Sequence, residues 1–138
     1  MGDWEHFAHG ADIGIRGFGA TPAAAFAHAA CALTAVMTDL SQVRAASPVH
    51  VECRVPDREL LFCEWLNTLV FHMATRRMLF SRFDVHLEGD TLVADAWGEP
   101  VDVARHAPAV EVKGATLTEL AVRQGPDGRW LAQCVLDG

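Results

Sequence analysis

Tyrosine is absent from the 138 residues, and aromatic side chains make up only 8% of them. Basic residues are also scarce: 11 Lys+Arg face 18 Asp+Glu, a formal charge of −7 at pH 7. Neutralising phosphates takes Lys and Arg gathered on one face, and no such run occurs, which argues against direct, non-specific nucleic-acid binding. An acidic protein can still serve a nucleic-acid enzyme by binding the enzyme. No apolar run approaches the ~20 residues of a membrane span. The first residues are acidic and aromatic instead of a basic stretch followed by an apolar one, so the expectation is a soluble, unexported protein.

Cys31, Cys53, Cys63 and Cys134 show neither C-x-x-C nor zinc-finger spacing and read as free, buried thiols in a reducing compartment. Most enzyme signatures are missing as well. There is no G-x-x-x-x-G-K-[ST], no G-x-S-x-G elbow, no H-E-x-x-H and no calcium loop of the D-x-D-x-D-G type.

What is present is a chain 51% hydrophobic, of single-domain length over residues 1–138, long enough to bury about 70% of its unfolded surface. Residues 4–19 alternate apolar and polar side chains and read as two short strands or one bent one. Thr21-Pro22 is a helix start, a hydroxyl cap followed by a proline that gives up no helical hydrogen bond. Phe26, Ala30, Leu33, Val36 and Met37 then recur at helical spacing, which predicts a helix over 22–37 whose alanines suit tight packing on a sheet. Val49, Val51, Cys53 and Val55 alternate as a half-buried strand. Asp57 caps a second helix over 58–75, striped by Phe62, Leu66, Leu69, Val70 and Met73.

After Met78 the period falls to two. Phe83, Val85 and Leu87 form one strand, Gly89 turns the chain, and residues 91–97 form the next. A loop through Arg105-His106 leads to a strand-like Glu111–Lys113. Leu120 and Val122 mark another strand, and Gly125–Gly128 is a turn by composition. Residues 129–137 are apolar on both phases, as an inner strand would be. The order of elements predicts an α+β fold: one compact domain with two helices packed on one face of a mostly antiparallel sheet.

Two aspartates stand out. Asp12 lies among glycines and alanine in His9-Gly10-Ala11-Asp12-Ile13-Gly14, and Asp137 ends the inner strand beside Gly138. Two carboxylates, main-chain oxygen and water would suit a hard cation, Ca2+ or Mg2+, better than zinc. Residue physics alone favours a simpler account, a turn cap and a solvated strand end, because two distant aspartates are no motif. His9 reads as a histidine hydrogen-bonded in place, and Lys113 as an exposed edge-strand lysine. Glu99 and Arg105-His106 read as ordinary loop residues, and the four tryptophans as core filling.

The ordered series of local patterns says more. Trp4-Glu5-His6 and His9–Ile15, then Gly17-x-Gly19 with Ala25-Phe26 and Val36–Asp39, lead into Leu60-Leu61 with Trp65–Leu69. Leu79-Phe80-x-x-Phe83-x-Val85, Gly98-Glu99, Arg105-His106, Glu111-Val112-Lys113 with Thr116, and Gly128-x-Trp130-x-Ala132-Gln133 through Asp137 complete the series. This series resembles the archease family over nearly the whole chain. It departs at Gly10, where the family usually has threonine, and at Leu117-Thr118, which replaces an aromatic-His pair.

The resemblance implies a small cytoplasmic accessory protein, not itself an enzyme, that activates the RtcB-type RNA ligase of tRNA splicing by promoting its metal-dependent guanylylation and multiple turnover. Carried over by position, Asp12 and Asp137 with the main chain of Gly138 look like the family's metal site, with Ca2+ as the implied ion and Mg2+ or Mn2+ as alternatives. Asp39 is implied only as an outer ligand, and Lys113 and Glu99 as part of the ligase-facing surface. Two other readings remain beside it. One is a stand-alone metal-dependent hydrolase with His9 as base; the other is a chaperone-like binding module.

Overall fold

The computed structural model describes residues 2–138. Its first two strands, β1 (Trp4–His9) and β2 (Asp12–Gly19), form a hairpin. They are followed by α1 (Pro22–Met37), a short 3-10 turn, β3 (Ser47–Arg54) and α2 (Arg58–Arg76). A second hairpin joins β4 (Met78–Glu88) to β5 (Thr91–Pro100). The one-turn helix α3 (Val103–His106) precedes β6 (Gly114–Ala115), β7 (Ala121–Gln124) and β8 (Trp130–Asp137).

The expected single sheet is in fact two. One has the order β1-β2-β8-β6 with β7 also paired to β8, and the other the order β3-β5-β4. All pairings are antiparallel. Sequence periodicity identifies strands but not partners, which is why the division between sheets was not legible. The inner-strand reading of residues 129–137 holds, since β8 pairs with β2 on one side and with β6 and β7 on the other.

Both helices begin where their caps indicated. The Thr21 hydroxyl accepts from the Ala24 N–H at 3.1 Å, and the Asp57 carboxylate from the Leu60 N–H at 2.9 Å. The alanines of α1 do what their size permits. A Cβ placed on Gly17 of β2 would sit 2.2 Å from both the Ala25 carbonyl oxygen and the Ala29 nitrogen. Only glycine lets helix and strand backbones approach this closely. α1 packs on β2 and β8 of the larger sheet and on β4 of the smaller, so one core spans both. Trp65 of α2 is fully buried there and donates its indole N–H to the Phe26 carbonyl at 3.1 Å.

The tryptophans divide. Trp65 lies inside, Trp4 and Trp130 pack against the core from its edge, and Trp97 is half-buried, hydrogen-bonded to Asp84 at 2.9 Å with Arg82 over its ring. Core filling is therefore the wrong description of Trp97. All four cysteines are free: three are buried, and Cys31 is half-buried. Burial pushes the Cys31 thiol up to about 11 and that of Cys134 to about 12, so both stay protonated and unreactive at neutral pH.

Gly10 owes its place to the backbone. It turns the β1–β2 hairpin with φ +58, and open space surrounds the position where a Cβ would stand. The backbone, not a side-chain contact, requires glycine. Threonine at this position should cost about 1–2 kcal/mol, the penalty of a side chain in the left-handed region. Denaturant unfolding of Gly10→Thr beside wild type checks this, with an unchanged midpoint as the opposing result.

Candidate metal centre

The pairing of β2 with β8 brings the two ends of the chain together. Ile13 lies opposite Leu136 at the end of this ladder, so Asp12 and Asp137 each stand one residue beyond its last pair. Both aspartates are exposed, and both line one small crevice of ≈ 90 Å3 together with Gly138, Glu111 and apolar neighbours from α1 and the 110–112 segment. No cysteine or histidine lines it. An all-oxygen donor set fits a hard divalent cation and discriminates against zinc.

Among the described residues, no group of three or more His, Cys, Asp or Glu side chains is placed to hold an ion. A cation here would draw on two carboxylates, main-chain oxygen and water. The Asp137 carbonyl already has a partner, the Lys113 N–H at 2.7 Å. That bond fixes the end of β8 and the approach to β6. The sequence offered Glu111 only as part of a family pattern, yet it lines the crevice. Its position depends on how residues 107–113 are routed, which no periodicity reveals.

The other singled-out residues lie elsewhere or act differently. Asp39 does not line the crevice; its Oδ1 accepts from the N–H and hydroxyl of Ser41, at 3.0 and 2.7 Å, and caps the 3-10 turn. These bonds hold its carboxyl below the usual range. His9 is exposed at the end of β1, across the hairpin from Asp12. Glu111–Lys113 is not a strand, since the ladder to β8 begins at Gly114. Lys113, the chain's one lysine, is exposed.

Glu99, Arg105 and His106 are not ordinary loop residues. Glu99 is 7% exposed and His106 3%. The Glu99 carboxylate accepts both terminal nitrogens of Arg105 at 2.8 Å, the Arg44 N–H at 2.8 Å and His106 Nε2 at 3.0 Å. The Asp102 N–H donates to His106 Nδ1 at 2.8 Å, so the proton of that ring sits on Nε2, facing Glu99. The Thr38 hydroxyl donates to the His106 carbonyl at 2.5 Å, and Arg105 reaches the Gln42 carbonyl at 2.6 Å. This network ties the α3 turn to the end of α1. Glu99 is therefore not part of an open contact surface; it anchors the α3 turn, from which the chain runs on to the crevice wall.

The bonds from Arg105, and then from the Arg44 main chain, hold the Glu99 carboxyl far below the carboxylate range. A carboxyl depressed by folding contributes stability that is complete above its unfolded value, near 4.5, and is lost as pH falls toward its folded value. The stability difference between wild type and Glu99→Gln should therefore be constant above about pH 5 and shrink steadily below it. Urea unfolding at a series of pH values reads this directly. A difference that does not change with pH would deny Glu99 this role.

A two-sheet α+β domain with an inner C-terminal strand, and a crevice at one end bordered by Asp12, Glu111, Asp137 and Gly138, defines the class of small protein to which this chain is compared. The description that matches is the Archease protein family (MTH1598/TM1083), over residues 4–137, and the chain belongs to that family. It is 38% identical to the protein archease of Pyrococcus abyssi over 141 residues, covering 99% of each chain. It is likewise 38% identical to that of Thermococcus gammatolerans, again over 99% of both. The solution structure of Methanobacterium thermoautotrophicum protein 1598 superposes with a TM-score of 0.85, at 34% identity and 99% coverage of both chains. The crystal structure of a Thermotoga maritima archease, described as a possible chaperone, shares the fold at a TM-score of 0.63 and 15% identity, covering 96% of this chain and 94% of that one. Among the described residues, no helix is long and apolar enough to cross a membrane.

Proposed function

We propose that this protein is a cytoplasmic, non-enzymatic activator of an RtcB-type RNA ligase in tRNA splicing and RNA repair. In this reading it promotes the ligase's metal-dependent guanylylation and repeated turnover through a divalent-cation site formed by Asp12, Asp137 and the main chain of Gly138. One observation supports the reading: β2 and β8 bring Asp12 and Asp137, far apart in sequence, to the lining of one crevice. Ca2+ is the preferred ion, with Mg2+ or Mn2+ as substitutes.

When bound, the cation supplies positive charge at the rim, where a nucleotide phosphate or a ligase carboxylate can meet it. The chain's own residues do the rest. Asp12 and Asp137 supply charge on two neighbouring strands, and the Lys113 N–H holds the main chain of Asp137 in place. Two carboxylates with water make a low-charge site, which suits reversible holding better than permanent capture. The net charge of −7 makes RNA an unfavourable contact and a basic ligase surface a favourable one.

The test is a ligation time course with the RtcB-type ligase from the same source, with and without this protein. Several ligations per ligase molecule are expected only with it, and no RNA joining or cleavage by the protein alone. Equal turnover in both arms would refute the activator reading. Metal-dependent cleavage by the protein alone would favour a hydrolase instead.

A further inference from the structure

A second recess lies directly behind the crevice wall. It encloses ≈ 380 Å3 between the end of α1, the second half of α2, the start of β4 and residues 108–112. The volume falls within the range of about 300–1,000 Å3 usual for ligand sites. Met37, Met73 and Met78, all the methionines among the described residues, line it with apolar neighbours, and Glu111 is the one charged residue of the lining. They come from three different elements, so no sequence pattern announces the recess. Methionine is flexible and polarizable and moulds itself to an incoming apolar group.

Four facts separate this recess from a packing defect. Val110, Glu111 and Val112 line both it and the carboxylate crevice, so one short segment is the wall between them. That segment has no strand or helix of its own. It is held at its edges, by the Ala109 N–H on the Met37 carbonyl at 3.0 Å and the Lys113 N–H on the Asp137 carbonyl at 2.7 Å. Val110 is 43% exposed although it adjoins an apolar volume. Anything seated in the recess lies against the wall of the crevice.

We infer that the recess receives one apolar side chain of the ligase, from a segment whose neighbouring Lys or Arg meets Glu111, the charged residue that borders both the recess and the crevice. This rests on the activator reading and adds where the partner is gripped. Charge selects the occupant. A second copy of this chain would bring another Glu111 and the same net charge of −7, whereas a basic segment with one apolar anchor satisfies Glu111 and the recess together. The anchor then fixes the position from which the two aspartates face the ligase.

Methionine methyl groups are the natural reporters, because each one among the described residues borders the recess. The protein, labelled with 13C at its methionine methyls, is titrated with intact ligase while affinity is measured separately by calorimetry. The signals of Met37, Met73 and Met78 should shift or broaden at the stoichiometry of binding. Ala74→Phe, which fills the recess from α2, should weaken ligase binding by about tenfold or more, with Ca2+ affinity within twofold of wild type. Val70→Phe provides the same test from another position should the first variant fold poorly. Ligase that binds at full affinity to a folded filled variant, with the three methyl signals unmoved in wild type, overturns the inference and leaves the activator reading standing. No binding of ligase to wild type removes both. Methyl signals that respond to protein concentration but not to ligase assign the recess to self-association and overturn the inference as well.

Discussion

Asp137→Ala and Asp12→Ala should each abolish stimulation of the ligase and weaken Ca2+ binding by more than about 10–100-fold, the loss already seen when residues one step removed from a metal are changed. Removing one of two carboxylates leaves a single charge, main-chain oxygen and water, too little to dehydrate a divalent ion. The fold should be unaffected. Both side chains are exposed, and the main-chain bond from Lys113 to Asp137 does not involve the carboxylate. The expected stability change is within about 0.5 kcal/mol. Calorimetric Ca2+ titration, circular dichroism and multiple-turnover ligation check the three statements separately. Asp→Asn at either position should behave almost as severely as alanine, since it keeps the shape and removes the charge. Stimulation that survives in both variants would detach the function from this crevice.

Trp65→Ala should be the most damaging single change in the core, costing about 3–5 kcal/mol. Trp65 is fully buried, and its ring meets that of Phe83 edge-on at a centroid distance of 6.0 Å. Its indole N–H is satisfied by the Phe26 carbonyl of α1, so the residue joins both helices to the smaller sheet. Alanine would leave a large cavity that close-packed neighbours can only partly close. A loss of that size is a substantial part of a typical domain's total stability, and much of the variant should be unfolded at physiological temperature. Thermal unfolding followed by tryptophan fluorescence and circular dichroism measures it. Trp65→Phe, which keeps most of the ring contact and loses only the N–H donor, should retain more than half of the stability lost in the alanine variant. A midpoint within a few degrees of wild type for Trp65→Ala would contradict this account of the core.

The sequence made some features legible and hid others for physical reasons. Caps and periodicity marked α1 and α2 to within a residue or so, because Thr21-Pro22 and Asp57 act locally and apolar stripes repeat. The β4–β5 hairpin was equally readable from Gly89, whereas the β1–β2 hairpin, turned at Gly10, was left open between two short strands and one bent one. Sheet membership was not, because a strand's pattern gives its buried face and not its neighbour. Residues 101–113 were the least legible part. Glu99, Arg105 and His106 look like loop polarity, and only folding shows that they satisfy one another in the interior. Of the site, Asp12, Asp137 and Gly138 were named through family likeness and meet at one crevice. Glu111 and the methionine-lined recess depend on long-range routing with no local signal, and Asp39 proved to be engaged with Ser41.

The most direct measurement is a crystal structure of this protein grown with Mn2+ or Ca2+, with anomalous data collected to locate the ion. One peak is expected in the crevice between β2 and β8, within the usual Ca2+–oxygen reach of about 2.3–2.6 Å from carboxylate oxygens of both Asp12 and Asp137. Soaking Asp137→Ala under the same conditions should remove it. A peak bound by only one of the two aspartates, or no ordered ion at all at millimolar concentration, would contradict the claim that the two ends of the chain share a cation.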